Sequence, residues 1–228
     1  MKTSIYVKII VTLLVVMIKC SQLYCQSNYP TRDSVHIFWQ PNTKITYQDF
    51  KQDLPQSTLK AMDTLKFDAS ASVGILRAID FPKRARVGSH KLEKVYLAPA
   101  FERTTSGTRT RDSLQIAMQT TYLDIAEIWS RWGREQFNKV RDSADVIGSQ
   151  ADVYSSVVCE MMTKYQSMRD AYSNDVIIRK KEGAFAKWRK DIDIMLMQKT
   201  KWITTSEDCY RIIKGKPIEP GYKEAKSK

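Results

Sequence analysis

Residues 112–132 read DSLQIAMQTTYLDIAEIWSRW, and their spacing predicts a long amphipathic helix. Leu114, Ala117, Met118, Tyr122, Ile125, Trp129 and Trp132 recur three and four positions apart, which stacks them along one helical face. Asp112, three residues before Gln115, supplies an N-terminal cap, because its carboxylate can accept the unpaired amides of the first turn. A stripe of this kind describes a core helix and by itself assigns no chemistry.

Towards the C-terminus the helical period persists. The first helix is expected to run past Trp132 toward Val140, with Gly133 as a weak point, and Gly148 and Ser149 separate it from a second helix over 150–172. Val153, Val157, Val158, Met161, Tyr165, Met168 and Tyr172 form the apolar stripe of that helix. A polar turn at 173–175 leads through a VII run and a basic RKK into a third helix over about 182–202, with Phe185, Trp188, Ile192, Met195 and Trp202 on its apolar side. Residues 215–228 carry Pro217, Pro220 and several lysines and read as a flexible tail.

Towards the N-terminus the pattern is extended. Residues 35–39 (VHIFW) read as a short strand closed by the Pro41-Asn42 turn, 45–50 as a short extended or helical piece, and 52–61 as an exposed connection. Residues 66–79 alternate as a strand, with Phe67, Ala69, Ala71 and Val73 on one face and Gly74 marking a bulge or close approach. A basic hairpin-like segment follows at 81–91, then a strand at 95–101 that Pro99 places at a sheet edge, then a Thr- and Arg-rich loop at 102–111. Strands first and helices afterwards predict an α+β fold: a small, mainly antiparallel N-terminal sheet packed by about three long helices.

The first residues read as an address. Lys2 and Lys8 precede an apolar run at 9–18, shorter than the roughly 20 residues a spanning helix needs, so residues 1–25 are expected to be a cleaved export signal. Lys19 and Tyr24, rather than small residues, precede Cys20 and Cys25, which disfavours lipidation. Removing 1–25 takes away Lys2, Lys8 and Lys19 and no acid, lowering the formal charge from +12 to +9. Residues 26–214 suffice for a single domain with a sizeable core, and no later stretch reaches membrane-spanning length. Cys159 and Cys209 remain; in an oxidising compartment they leave open a disulfide or two free thiols. Cys159, inside VVCEMM, reads as a core residue.

Several enzyme classes lack their residues. His36 and His90 are the two histidines, and no HxH, HxxxH or CxxC spacing supports a metal site. Neither a phosphate-binding glycine loop nor a GxSxG elbow is present. The basic residues are scattered over a hairpin, a turn and the tail, with the tryptophans mostly on core stripes. This disfavours nucleic acid and leaves an acidic protein or an anionic envelope polymer as the partner that charge alone would suit.

Three segments, in order, resemble a group of secreted bacterial zinc-dependent protease-like proteins of unknown function, common in the Bacteroidetes. Phe38-Trp39 followed by Tyr47-Gln48-Asp49-Phe50 is similar to that group's opening strand and WxDF-like motif. Pro99-Ala100-Phe101 with Ser106 matches its next strand loosely. Leu123-Asp124-Ile125-Ala126-Glu127 is similar to the FDIAE-like run that directly follows its HExxH. Counting back, the resemblance puts the two histidine positions at Met118 and Tyr122 and the catalytic glutamate at Gln119. Between Tyr172 and Trp188, Ile178-Arg179 stand where the group has a histidine-glycine pair.

The resemblance implies a zincin-like scaffold whose cleft is lined at the degenerate positions Met118, Gln119, Tyr122 and Ile178, with Asp124, Glu127 and Tyr172 as further cleft candidates. None of the four degenerate side chains is a good zinc ligand or base, so no metal, cofactor or catalytic residue is expected. The expected function is that of an exported, catalytically inactive module in the periplasm, the cell envelope or outside the cell, binding a protein or peptide. The alternatives are an active hydrolase built on His36 or His90 with distant carboxylates, and a basic structural protein held on anionic envelope polymers.

Overall fold

The computed structural model describes residues 29–83, 92–144 and 149–224. In chain order these form β1 (His36–Phe38), a 3-10 turn (Tyr47–Asp49), α1 (Gln56–Leu65), β2 (Ala69–Pro82), β3 (Lys94–Thr108), α2 (Ser113–Ala144) and α3 (Ser149–Tyr172). A π-helical segment (Ser173–Ile178), α4 (Ala184–Gln198), a 3-10 turn (Thr200–Trp202), α5 (Ser206–Lys214) and β4 (Tyr222–Glu224) complete them. The fold is α+β, with a four-stranded antiparallel sheet in the order β1-β3-β2-β4.

β3 is the strand that the sequence misplaces. Residues 96–101 are buried without a break, because alternate side chains meet a different layer on each face of the sheet. Leu97 and Phe101 face the cores built with α2, whereas Ala98 and Ala100 pack with Phe38 and with Cys209 and Ile212 of α5. Pro99 therefore lies in a central strand rather than at an edge. Its carbonyl accepts the Trp39 amide at 2.9 Å, and its missing N–H would face the Trp39 carbonyl, which takes the Gln40 side-chain amide at 2.6 Å instead.

The stretch 102–108, expected as a loop, continues β3 to pair Gly107 with Ser70 and Thr108 with Ala69. Its threonines suit the pleated backbone, and Ser106 ties the region together by donating to the Glu102 carbonyl at 2.6 Å while accepting the Ser72 amide at 2.8 Å. The register between β2 and β3 shifts at Ser70 to Ser72, where Ala71 stands opposite the longer stretch 103–106 of β3, and not at Gly74, which pairs in register with Ala100 and has open space at its Cβ position. The segment expected as a connection holds α1, whose one buried side chain is Met62. Residues 1–25, expected to be an export signal, and all but residues 81–83 of the basic segment expected at 81–91 lie outside the described residues.

α2 behaves as its spacing predicts at its start, where the Asp112 carboxylate accepts the Leu114 amide at 2.8 Å. Leu114 itself is exposed, and the buried surface is broader than one stripe, including Ile116, Gln119, Leu123, Glu127 and Arg131. The helix passes through Gly133 without a break. A Cβ there would lie 2.7 Å from Met161 Sδ and 2.9 Å from Leu97 Cδ1, so the glycine lets α2, α3 and the sheet approach closely.

α5 and β4 extend the fold beyond the expected helices. α5 opens with a capping box between Thr205 and Asp208, and Arg211 holds Asp80 of β2 in a buried pair, Nε at 2.9 Å and Nη2 at 2.7 Å from Oδ1. β4, within the stretch expected to be a flexible tail, pairs with residues 80–82 of β2 and buries Tyr222. The sheet thus draws on both ends of the chain rather than the N-terminal half alone. Among the described residues no helix is long and apolar enough to cross a membrane.

Candidate functional site

The first turns of α2 and the π-helical segment face each other across a groove floored by Phe67, which precedes β2. The wide turns of the π segment arise where the Ser173-Asn174-Asp175 turn runs into Val176-Ile177-Ile178. They close on the Arg179 amide bonded to the Asn174 carbonyl at 2.9 Å and the Lys181 amide bonded to the Asp175 carbonyl at 3.0 Å. Val176 and Ile177 turn inward and Ile178 is left 51% exposed. The Asp175 carboxylate anchors the segment, accepting from Lys181 at 2.5 Å and from Trp188 Nε1 at 3.2 Å, and these donors hold its pKa below the usual carboxylate value.

The groove contains two adjoining hollows. The larger, of about 590 Å³, is lined by Phe67, Leu114, Met118, Gln119, Val176, Ile177 and Phe185, with Lys66 and Lys180 at its rim. The smaller, of about 300 Å³, takes Leu65, Val73, Tyr122, Tyr165 and Ile178, and shares Phe67, Gln119 and Ile177 with the first. Below them Tyr122, Tyr172 and Trp188 form an edge-to-face chain, with ring centroids 5.2 and 5.6 Å apart. The four positions singled out by the resemblance therefore gather in one groove but not at one point: Met118 faces the larger hollow, Tyr122 and Ile178 the smaller, and Gln119 stands between.

Gln119 has a structural task. Its Oε1 accepts the Ala71 amide at 3.2 Å, satisfying a donor at the β2–β3 register shift. Tyr122 is buried, and burial pushes its hydroxyl pKa upward, which keeps it protonated.

The remaining expected residues lie elsewhere. Tyr172 is fully buried beneath the groove and donates to the Met118 carbonyl at 2.6 Å, so it supports the wall without lining it. Asp124 belongs to a separate hollow of about 250 Å³, where Trp39 Nε1 and Arg189 Nη1 both reach it at 2.6 Å. Glu127 is not a cleft residue. It is fully buried, accepting from Arg131 Nε at 2.7 Å, from the Thr204 amide at 3.0 Å and from the Thr204 hydroxyl, and so pins the loop before α5 to α2.

Cys159 is exposed on α3 and Cys209 buried on α5, both as free thiols, so Cys159 is not the core residue its neighbours suggest. Burial, with Asp208 nearby, pushes the Cys209 thiol up to about 12, leaving it inert as a nucleophile. His36 faces Asp33, Nδ1 to Oδ2 at 3.4 Å, and His90 lies outside the described residues.

Phe67, Val176, Ile177 and Phe185 are groove residues to which the sequence alone assigns no role at the site. Their apolar spacing is visible, but the polar character of 173–175 conceals that Val176 and Ile177 turn inward to face α2 across the groove. Zinc, which the resemblance would supply, does not fit this donor set: a thioether, an amide already bonded to backbone, a protonated phenol and an aliphatic side chain. Among the described residues no group of three or more His, Cys, Asp or Glu side chains is placed to hold a metal ion. Comparison with protein-family models, curated proteins and solved structures gives no match for this chain.

Proposed function

We propose that the chain is an exported, non-catalytic binding module on a metalloprotease-like, zincin-like scaffold, acting in the cell envelope or outside the cell. Its partner is a protein or peptide received in the groove between α2 and the π segment. The observation that carries this reading is the gathering of Met118, Gln119, Tyr122 and Ile178 around adjoining apolar hollows of about 590 and 300 Å³. These sizes lie at the scale of ligand sites, of roughly 300–1,000 Å³. The same positions offer no base or ligand set for hydrolysis, and Gln119 is committed to the β2 backbone.

The test is zinc analysis and casein hydrolysis on the purified chain lacking residues 1–25. The reading predicts far less than one zinc per chain and no hydrolysis above a buffer blank. About one retained zinc per chain, with chelator-sensitive hydrolysis, would overturn it.

A further inference from the structure

The rim of the groove mixes lysines with carboxylates, Lys66, Lys180 and Lys181 with Asp68 and Asp112 at the larger hollow and an Arg169–Asp170 pair at the smaller, but the charges left without an opposite partner are lysines. Lys180 Nζ donates to the Lys66 carbonyl, and among the described residues neither lysine has a carboxylate partner. The neighbouring carboxylates are engaged: Asp68 by Arg109 Nε at 2.6 Å, Asp112 by the first turn of α2, and Asp175 by Lys181. Both lysines hold left-handed backbone, φ 54° and 46°, Lys66 as the C-cap of α1 with its amide on the Met62 carbonyl. Beside them Leu114 and Ile178 are half exposed and Leu65 is 42% exposed.

From this juxtaposition, and resting on the binding role proposed above, we infer that the groove receives an extended acidic segment of a partner protein. Two large apolar side chains of the segment, two positions apart, enter the two hollows, and flanking aspartate or glutamate side chains meet Lys66 and Lys180. Same-side residues of an extended chain recur about every 7 Å, which suits paired hollows sharing a wall, whereas a single acyl tail would fill one of them. The rim lysines steer acidic segments inward and disfavour basic ones, in keeping with the +9 formal charge of the chain without residues 1–25.

The experiment is fluorescence anisotropy with three labelled, end-blocked peptides, ELDFE, KLKFK and ESDSE, on the signal-free chain and on the Lys66→Glu/Lys180→Glu double variant. Binding of ELDFE is expected to be at least about 10-fold tighter than that of KLKFK, to weaken about 10-fold in the double variant, and to weaken with added salt. ESDSE, without apolar side chains, is expected not to bind. The salt series on the unaltered chain tests the charge dependence even if the double variant fails to fold. Equal affinity for ELDFE and KLKFK, or indifference to salt and charge reversal, would overturn the acidic assignment while leaving the binding role in place. Laurate displacing ELDFE from one hollow, with no charge preference among peptides, would make the ligand a lipid and overturn the inference. Absence of any peptide binding would overturn it too, and the zinc and casein assay decides the parent reading independently.

Discussion

Gln119 joins the groove to the sheet through one contact, its amide oxygen on the Ala71 N–H. An amide left without an acceptor costs about 1–3 kcal/mol when buried, and the Ala71 N–H is partly buried, so Gln119→Leu is expected to lower stability by about 1 kcal/mol in urea unfolding. Wild-type stability in that variant would mean that the Ala71 N–H finds another acceptor. At Gly133 the constraint is space: the side chain of Gly133→Val would meet Met161 and Leu97, and overpacking is expected to cost about 1–3 kcal/mol despite the lost glycine flexibility. A third expectation concerns pH. The folded-state pKa of Asp175 lies below its ordinary 3.8, chiefly through the hydrogen bond from Lys181 and then Trp188. Its contribution to stability is therefore fully present above about pH 4–5 and is lost as pH falls through the depressed value. The urea midpoint of Asp175→Asn should accordingly change less than that of the wild type on acidification from about pH 5 to about pH 2. Identical pH slopes would show that the carboxylate does not hold the π segment.

The start of α2 and the extent of α3 are legible because their periodicity and the Asp112 cap are local properties of the chain. β3 is harder to place because its character comes from covering on both faces, by α2 on one and α5 on the other, and neither layer is adjacent in sequence. Pro99 illustrates this: its edge reading follows from the missing donor, and Gln40, far away in sequence, supplies that donor from its side chain. α5 and β4 depend on the distant Arg211–Asp80 pair. Asp80→Ala is expected to lose about 3–5 kcal/mol in chemical unfolding by stranding a buried guanidinium, whereas Asp80→Leu combined with Arg211→Met should lose less. An equal loss in both would argue that packing, not the ion pair, docks α5. The candidate site is legible in part: Met118, Gln119 and Tyr122 of α2 and Ile178 of the π segment reach the groove, whereas Asp124 and Glu127 follow α2 to different neighbours. Val176 and Ile177 are not legible as groove residues, because the π segment has no signal in side-chain period.

At the scale of the whole molecule, a sheet covered on both faces holds α2 rigidly while the π segment and the exposed apolar side chains beside it form a groove with lysines at its rim. The arrangement favours association over chemistry, since the groove offers apolar volume and charge without a metal donor set. Native mass spectrometry of the signal-free chain mixed with both zinc and the ELDFE peptide tests this most directly. The account predicts a one-to-one peptide adduct and no retained zinc, whereas a tightly held zinc adduct on the folded chain, with no peptide bound, would contradict it.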